Sequence, residues 1–206
     1  QEAFEWVKPV DDTPDKPGYL EIDFEEGVPV VVNGERMKSS SLIAYVNEFA
    51  GLHGVGITDH MEDRLVGIKS REVYECPAAI SIIEAHKDLE KLTLTRHELS
   101  FKREVESQWA WLAYSGLWVD PLKKALDAFI DVTQMRVEGK VKIKMFKGGL
   151  RAVSRSSSNS LYDHGLATYD ITSTFDQKAA EGFIGLWGLP SEVASNSWRS
   201  SNKAHN

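Results

Sequence analysis

The sequence predicts an α+β fold: antiparallel β hairpins forming a sheet, a central group of helices and a C-terminal arm. Two alternating stretches, residues 19–24 and 140–145, carry the period-2 mark of half-buried strands. Two turn dipeptides, Asn33-Gly34 and Gly148-Gly149, follow strand-like runs and suit tight hairpins. Between the hairpins, four segments keep apolar residues in helical phase.

Residues 1–18 hold Pro9, Pro14 and Pro17 among acidic residues and read as an extended connector. In the strand that follows, Leu20, Ile22 and Phe24 alternate with acidic residues. Val28 to Val32 forms its partner and ends at Asn33-Gly34, a dipeptide that accepts the positive φ angles of a tight turn. From a predicted N-cap at Ser41, Leu42, Tyr45, Val46 and Phe49 fall on one helical face until Gly51 stops it. Residues 53–70 read as short strands around a polar turn from Asp59 to Asp63.

Pro77 can open a helix with Ala79, Ile82, Ile83, His86 and Leu89 on one side. Phe101, Val105, Trp109 and Leu112 mark a second, running to about Gly116, and Asp120-Pro121 starts a third. Lys140 to Met145 alternates strictly, and Gly148-Gly149 turns it back into Leu150 to Val153. Residues 154–160 form a polar loop, a helix-like patch spans Asp176 to Phe183, and Ser191 to Asn206 is expected to be an exposed arm.

The chain has 206 residues, with 24 Lys and Arg against 31 Asp and Glu, a net charge of −7. A sequence-independent grip on nucleic-acid phosphates needs the opposite surplus, so no nucleic-acid partner is expected. No apolar run approaches the roughly 18 residues of a membrane span, so no membrane partner is expected. The single cysteine, Cys76, cannot form an internal disulfide and fits a reducing compartment, which points to the cytoplasm.

Neither a G-x-x-x-x-G-K-[ST] nor a G-x-G-x-x-G motif occurs, so no self-contained nucleotide pocket is legible. His53, Asp59, His60, Glu62 and Asp63 could ligate a metal or act as acid and base, yet a solvated turn explains that spacing better. Ten helical residues place Cys76 and His86 roughly 80° apart around an axis, against a nucleophile pair; a small buried thiol and a core histidine are favoured. Lys144, Lys147, Arg151 and Arg155 are read as an exposed basic face in preference to an anion site. Trp109, Trp111, Tyr114 and Trp118 are read as core and subunit interface.

The stretch HGVGITDHMEDRLVGIKSREVYECPA, residues 53–78, resembles the argininosuccinate synthase pattern G-V-G-x-x-D-x-x-E-N-R-x-x-G-x-K-S-R-G-x-Y-E-T-P. Further matching positions follow in order: Tyr114, Gly116, Trp118 and Pro121, then Gly139, Ser160 to Tyr162, Phe175-Asp176 and Ala180 to Ile184. Upstream, residues 24–34 match F-E-x-G-V-P-V-x-V-N-G. The resemblance runs from about Phe4 to Leu189.

That resemblance implies part of an ATP-dependent ligase of arginine biosynthesis. The ureido oxygen of citrulline is adenylylated with loss of pyrophosphate, and the amine of aspartate then displaces AMP to give argininosuccinate. The family's S-G-G-x-D-T-S pyrophosphate loop is absent, so ATP with magnesium, and aspartate, are expected on an N-terminal domain this chain lacks, with none bound by the chain alone. The implied organisation is a connector at 1–18, a synthetase domain at 19–189 and a tail at 190–206. Two citrulline-binding positions carry over, Glu62 and Tyr74. A carboxylate suits the substrate's ammonium, and a phenol can hydrogen-bond it without adding charge. The family implies a homotetramer. Asp63, Glu72 and Cys76 depart from its usual Asn, Gly and Thr. The rival reading is an amino-acid-binding or oligomerisation module without catalysis, and a weaker third is a metallohydrolase site in the 53–63 cluster.

Overall fold

The computed structural model describes residues 4–168, 176 and 178–203, and side chains as far as 200. The chain divides into two units, residues 1–161 and 162–206. In the first, five strands form an antiparallel sheet: β1 (Gly18–Glu25), β2 (Val28–Val32), β3 (Glu35–Arg36), β6 (Gly139–Phe146) and β7 (Gly149–Ser156). Their order is β3-β2-β1-β6-β7, so β1 and β6, remote in sequence, pair at the centre. The α+β prediction holds.

The alternation in β1 and β6 has a direct consequence. Leu20 pairs with Ile143 and Ile22 with Val141, and all four are fully buried. Burying each such side chain contributes about 1.5–3 kcal/mol. Leu42, Val46 and Ala50 of α1 (Ser39–Leu52) and Ala78, Ala85 and Leu89 of α2 (Pro77–Thr93) join the same core. Two further helices, α3 (Arg96–Tyr114) and α4 (Pro121–Gln134), pair beside it. As the sequence predicts, Pro77 and Pro121 occupy first helical turns, and Asp120 caps α4 by accepting the Leu122 N–H at 2.8 Å.

Several boundaries differ from the prediction. The second hairpin turns at Lys147-Gly148, both with positive φ, and Gly149 already pairs with Phe146. A two-residue turn of this hand needs both central residues in that region, and Lys147 adopts it at φ 48°. α1 begins at Ser39 without a side-chain cap, so Ser41 lies inside it. Gly51 lies within α1 as well: a Cβ there would stand 2.1 Å from the Trp6 carbonyl oxygen. The glycine admits the N-terminal segment, whose Lys8 N–H donates to the Gly51 carbonyl at 3.0 Å. That segment includes a 3-10 turn over Val10–Asp12 and buries Val7. Its positions 1–3 lie outside the described residues.

The second unit contains α5 (His164–Ala167) and α6 (Ala179–Lys203). α6 runs through Pro190, where a tail was expected to begin, and is helical as far as Lys203. Phe183 stacks on Trp187 one turn later, with centroids 5.4 Å apart, an i,i+4 contact that supports a helix despite its Ser and Asn content. Motif residue Phe175 and tail residues 204–206 lie outside the described residues. No helix among those described is long and apolar enough to cross a membrane.

Candidate functional site

Residues 57–75 form a separate two-stranded ribbon, β4 (Ile57–Asp63) and β5 (Lys69–Glu75). The polar turn expected from Asp59 to Asp63 is strand instead. The chain reverses just beyond it, where the Arg64 N–H reaches the Ile68 carbonyl at 3.0 Å. Charged residues are tolerated in both strands because they pair across them. Arg71 grips Asp59 with both ends of its guanidinium, and Lys69 meets Asp63 at 2.8 Å.

Directly opposed residues share a face. Thr58 opposes Tyr74, His60 opposes Glu72, and Glu62 opposes Ser70. Glu62 and Tyr74, the two residues the sequence singles out, therefore lie on one face, separated by the His60–Glu72 row. Asp59 and Asp63 project from the other. His53 is not on the ribbon. It is buried at the end of α1, with Nδ1 2.9 Å from the Phe49 carbonyl and its ring against Phe49. The predicted cluster is thus dispersed, and among the described residues no group of three or more His, Cys, Asp or Glu is placed to hold a metal ion.

His60 connects the two candidate residues. Its Nε2 stands 3.7 Å from the Glu62 carboxylate, and its ring lies 5.6 Å from the Tyr74 ring. Partial burial, then the nearby Glu62 and Glu72 carboxylates, push the Tyr74 phenol above its ordinary range. It therefore remains a neutral donor well past neutrality. Arg64 caps the face, donating to Glu72 at 2.9 Å and to the Ser70 hydroxyl at 3.3 Å. That guanidinium, then the Ser70 hydroxyl, holds Glu72 below the usual carboxylate range. Tyr114, at the end of α3, donates to the Asp63 carbonyl at 3.5 Å.

Arg64, Ser70 and Tyr114 were not singled out from sequence as parts of this site. A period-2 reading extended through 58–74 would have found Ser70; Tyr114 arrives by tertiary packing and leaves no local signal. Along a strand of about 3.4 Å per residue, the Glu62 and Tyr74 rows are roughly 13 Å apart. A carboxylate at one end and a phenol at the other suit an extended polar molecule with a cationic end.

The remaining predicted groups have structural partners. The Cys76 sulfur lies 3.5 Å from the Thr58 hydroxyl, while His86 meets Gln134 at 2.8 Å, so the two do not pair. Lys147 is engaged by the Thr13 carbonyl and Asp15, and Arg155 by Asp88, so two of the four predicted cations are ion-paired. The Trp109 indole donates to Asp127 at 2.6 Å, but Trp111 and Trp118 are more than half exposed and are not core. A cleft of about 1020 Å³ lies away from the ribbon. Its Lys102 is already engaged by Glu90 and Glu106.

Residues 1–194 match the family described as Arginosuccinate synthase C-terminal domain. The chain is 56% identical over 196 residues to a protein named argininosuccinate synthase from Pyrococcus furiosus, covering 95% of this chain and 48% of that protein. A second of that name, from Dehalococcoides mccartyi, is 52% identical over 93% of this chain and 47% of its own length. A third, from Picosynechococcus, is 51% identical over 98% of this chain and 50% of its own. The chain thus spans about half the length of the curated relatives it matches.

Proposed function

Because the chain belongs to the argininosuccinate synthase family, matching its C-terminal domain, we propose that it supplies citrulline contacts and subunit assembly to that ligase. The reaction joins citrulline to aspartate at the expense of ATP, with release of AMP and pyrophosphate. The observation that carries this reading is the placement of Glu62 and Tyr74 on one face of the β4–β5 ribbon, two cross-strand rows apart. The Glu62 carboxylate accepts from the substrate's ammonium, and the Tyr74 hydroxyl hydrogen-bonds its polar end. Their contribution is orientation: they hold the ureido group for reaction without themselves exchanging protons.

The sequence holds neither of the two glycine-rich phosphate motifs, which supports placing ATP with magnesium elsewhere. Binding of ATP and aspartate is assigned to the half of the longer relatives that this chain does not match. A homotetramer is the proposed assembly, supported by the exposed Phe183, Trp187 and Trp198 of α6. A cytoplasmic location is supported by the lone thiol.

The test is AMP formation from citrulline, aspartate and ATP. The chain alone is expected to form none, and the chain combined with the N-terminal half of a relative is expected to form it. AMP formation by the chain alone would overturn this division of labour. Citrulline binding without complementation would favour a non-catalytic amino-acid-binding module, the reading supported by the missing phosphate loop.

A further inference from the structure

The row between Glu62 and Tyr74 is occupied by His60 and Glu72, directly opposed across the strands. A ligand long enough to engage both outer rows passes over this middle row. His60 is partly exposed on that face, with Nε2 directed at Glu62 from 3.7 Å and its ring beside Tyr74. The charged and titratable groups near it are Glu62 on β4, Glu72 and Tyr74 on β5, Arg64 in the turn and Tyr114 at the end of α3, with Asp59 next to it in sequence on the opposite face.

Resting on the reading of this face as the citrulline site, we propose that His60 is a positioning residue that makes ligand affinity depend on pH through Glu62. A neutral imidazole leaves the Glu62 carboxylate free for the substrate's ammonium. A protonated imidazole directs an N–H toward that same carboxylate and adds a like charge beside the ammonium, so the ligand competes with the protein's own cation. An imidazole gains its charge as pH falls, so lower pH weakens binding. The contact is solvent-screened, and its effect is correspondingly modest, about two- to fivefold in Kd.

The experiment is calorimetry with citrulline on the chain combined with the N-terminal half of a relative, at pH 6 and pH 8, for the parent, His60→Gln, His60→Lys and Glu62→Ala. The parent should bind two- to fivefold more tightly at pH 8. His60→Gln should bind at both pH values as the parent does at pH 8, and His60→Lys, with its fixed charge, as the parent does at pH 6. Circular dichroism of each variant separates loss of fold from loss of affinity. A parent-like pH dependence retained in both His60 variants, with Glu62→Ala still weakening binding, overturns the inference alone. No citrulline binding by the parent, or unchanged binding by Glu62→Ala, overturns the assignment of the site and this inference with it.

Discussion

Glu62 and Tyr74 occupy the same face of the β4–β5 ribbon, two cross-strand rows apart, with His60 between them in contact distance of both. The arrangement follows from strand alternation and an antiparallel register that opposes Thr58 to Tyr74. A one-residue slip would send one of the two residues to the opposite face. Glu62→Gln should weaken citrulline binding about tenfold or more, the loss expected for a hydrogen bond to a charged partner. Tyr74→Phe removes a neutral hydrogen bond and should cost about two- to tenfold. Neither side chain supports the core, so both variants should melt like the parent. Equal affinities across the three proteins would remove the face as the site.

The end of the same ribbon anchors the N-terminal segment. The Glu75 carboxylate accepts the N–H groups of Glu5, Trp6 and Val7 at 2.9, 2.9 and 2.7 Å. Desolvation pushes this carboxyl upward, but the three donors outweigh it and hold the group below its ordinary value. A depressed folded-state pKa means stability present above the unfolded value of about 4.3 and lost as pH falls through the folded one. Glu75→Gln should therefore melt below the parent at pH 7, by an amount corresponding to about 1 kcal/mol after allowance for solvent screening. The gap should close as pH is lowered toward 3. A gap that stays constant from pH 7 to pH 3 would show that the carboxylate's charge is not what the three donors require.

Gly51 offers a sign test of the same segment. In an unobstructed helix interior, Gly→Ala stabilises by about 1 kcal/mol. Here the added methyl would meet the Trp6 carbonyl oxygen at 2.1 Å, with the Trp6 carbonyl carbon 3.0 Å away. Backbone must shift and the Lys8 N–H to Gly51 contact is lost. Gly51→Ala should lower the melting temperature and expose residues 4–17 to proteolysis; stabilisation would mean that the segment yields freely.

Local physics made most of the fold legible. Alternation set the faces of β1 and β6, and proline at a helix start fixed the openings of α2 and α4. Thr95 and Glu98 form a capping box at the start of α3, a signal present in the sequence that would have moved that boundary forward from Phe101. The ribbon was harder because both faces carry charged residues, while Ile57, Met61 and Val73 stay exposed. Alternation therefore marks no buried side, and the Arg71–Asp59 and Lys69–Asp63 pairings help explain why Asp59 to Asp63 is extended rather than turned. Glu62 and Tyr74 were identified by motif, whereas the adjacency of His60, Arg64 and Tyr114 depends on register and on where α3 ends.

Between α2 and α3, Lys102 is only 4% exposed, as is Glu90, and the two meet at 2.9 Å. Glu90 also accepts from the Gln134 side chain at 2.8 Å, and Gln134 in turn meets His86, so one buried carboxylate joins α2, α3 and α4. Desolvation alone would lower the Lys102 pKa, but Glu106 and Glu90 outweigh it and raise the value. The stabilising contribution is therefore full below the unfolded pKa of about 10.4 and declines as pH rises through the folded one. At neutral pH, Lys102→Met leaves Glu90 buried without its cation and should destabilise by about 3–5 kcal/mol, since desolvation is no longer offset. Replacing both, as Glu90→Gln with Lys102→Met, removes both charges and keeps a partner for Gln134, and should recover a large part of that loss. Denaturant melts of the two single variants and the double complete the cycle. Additive losses would mean that the ion pair couples the helices no more than two independent side chains do.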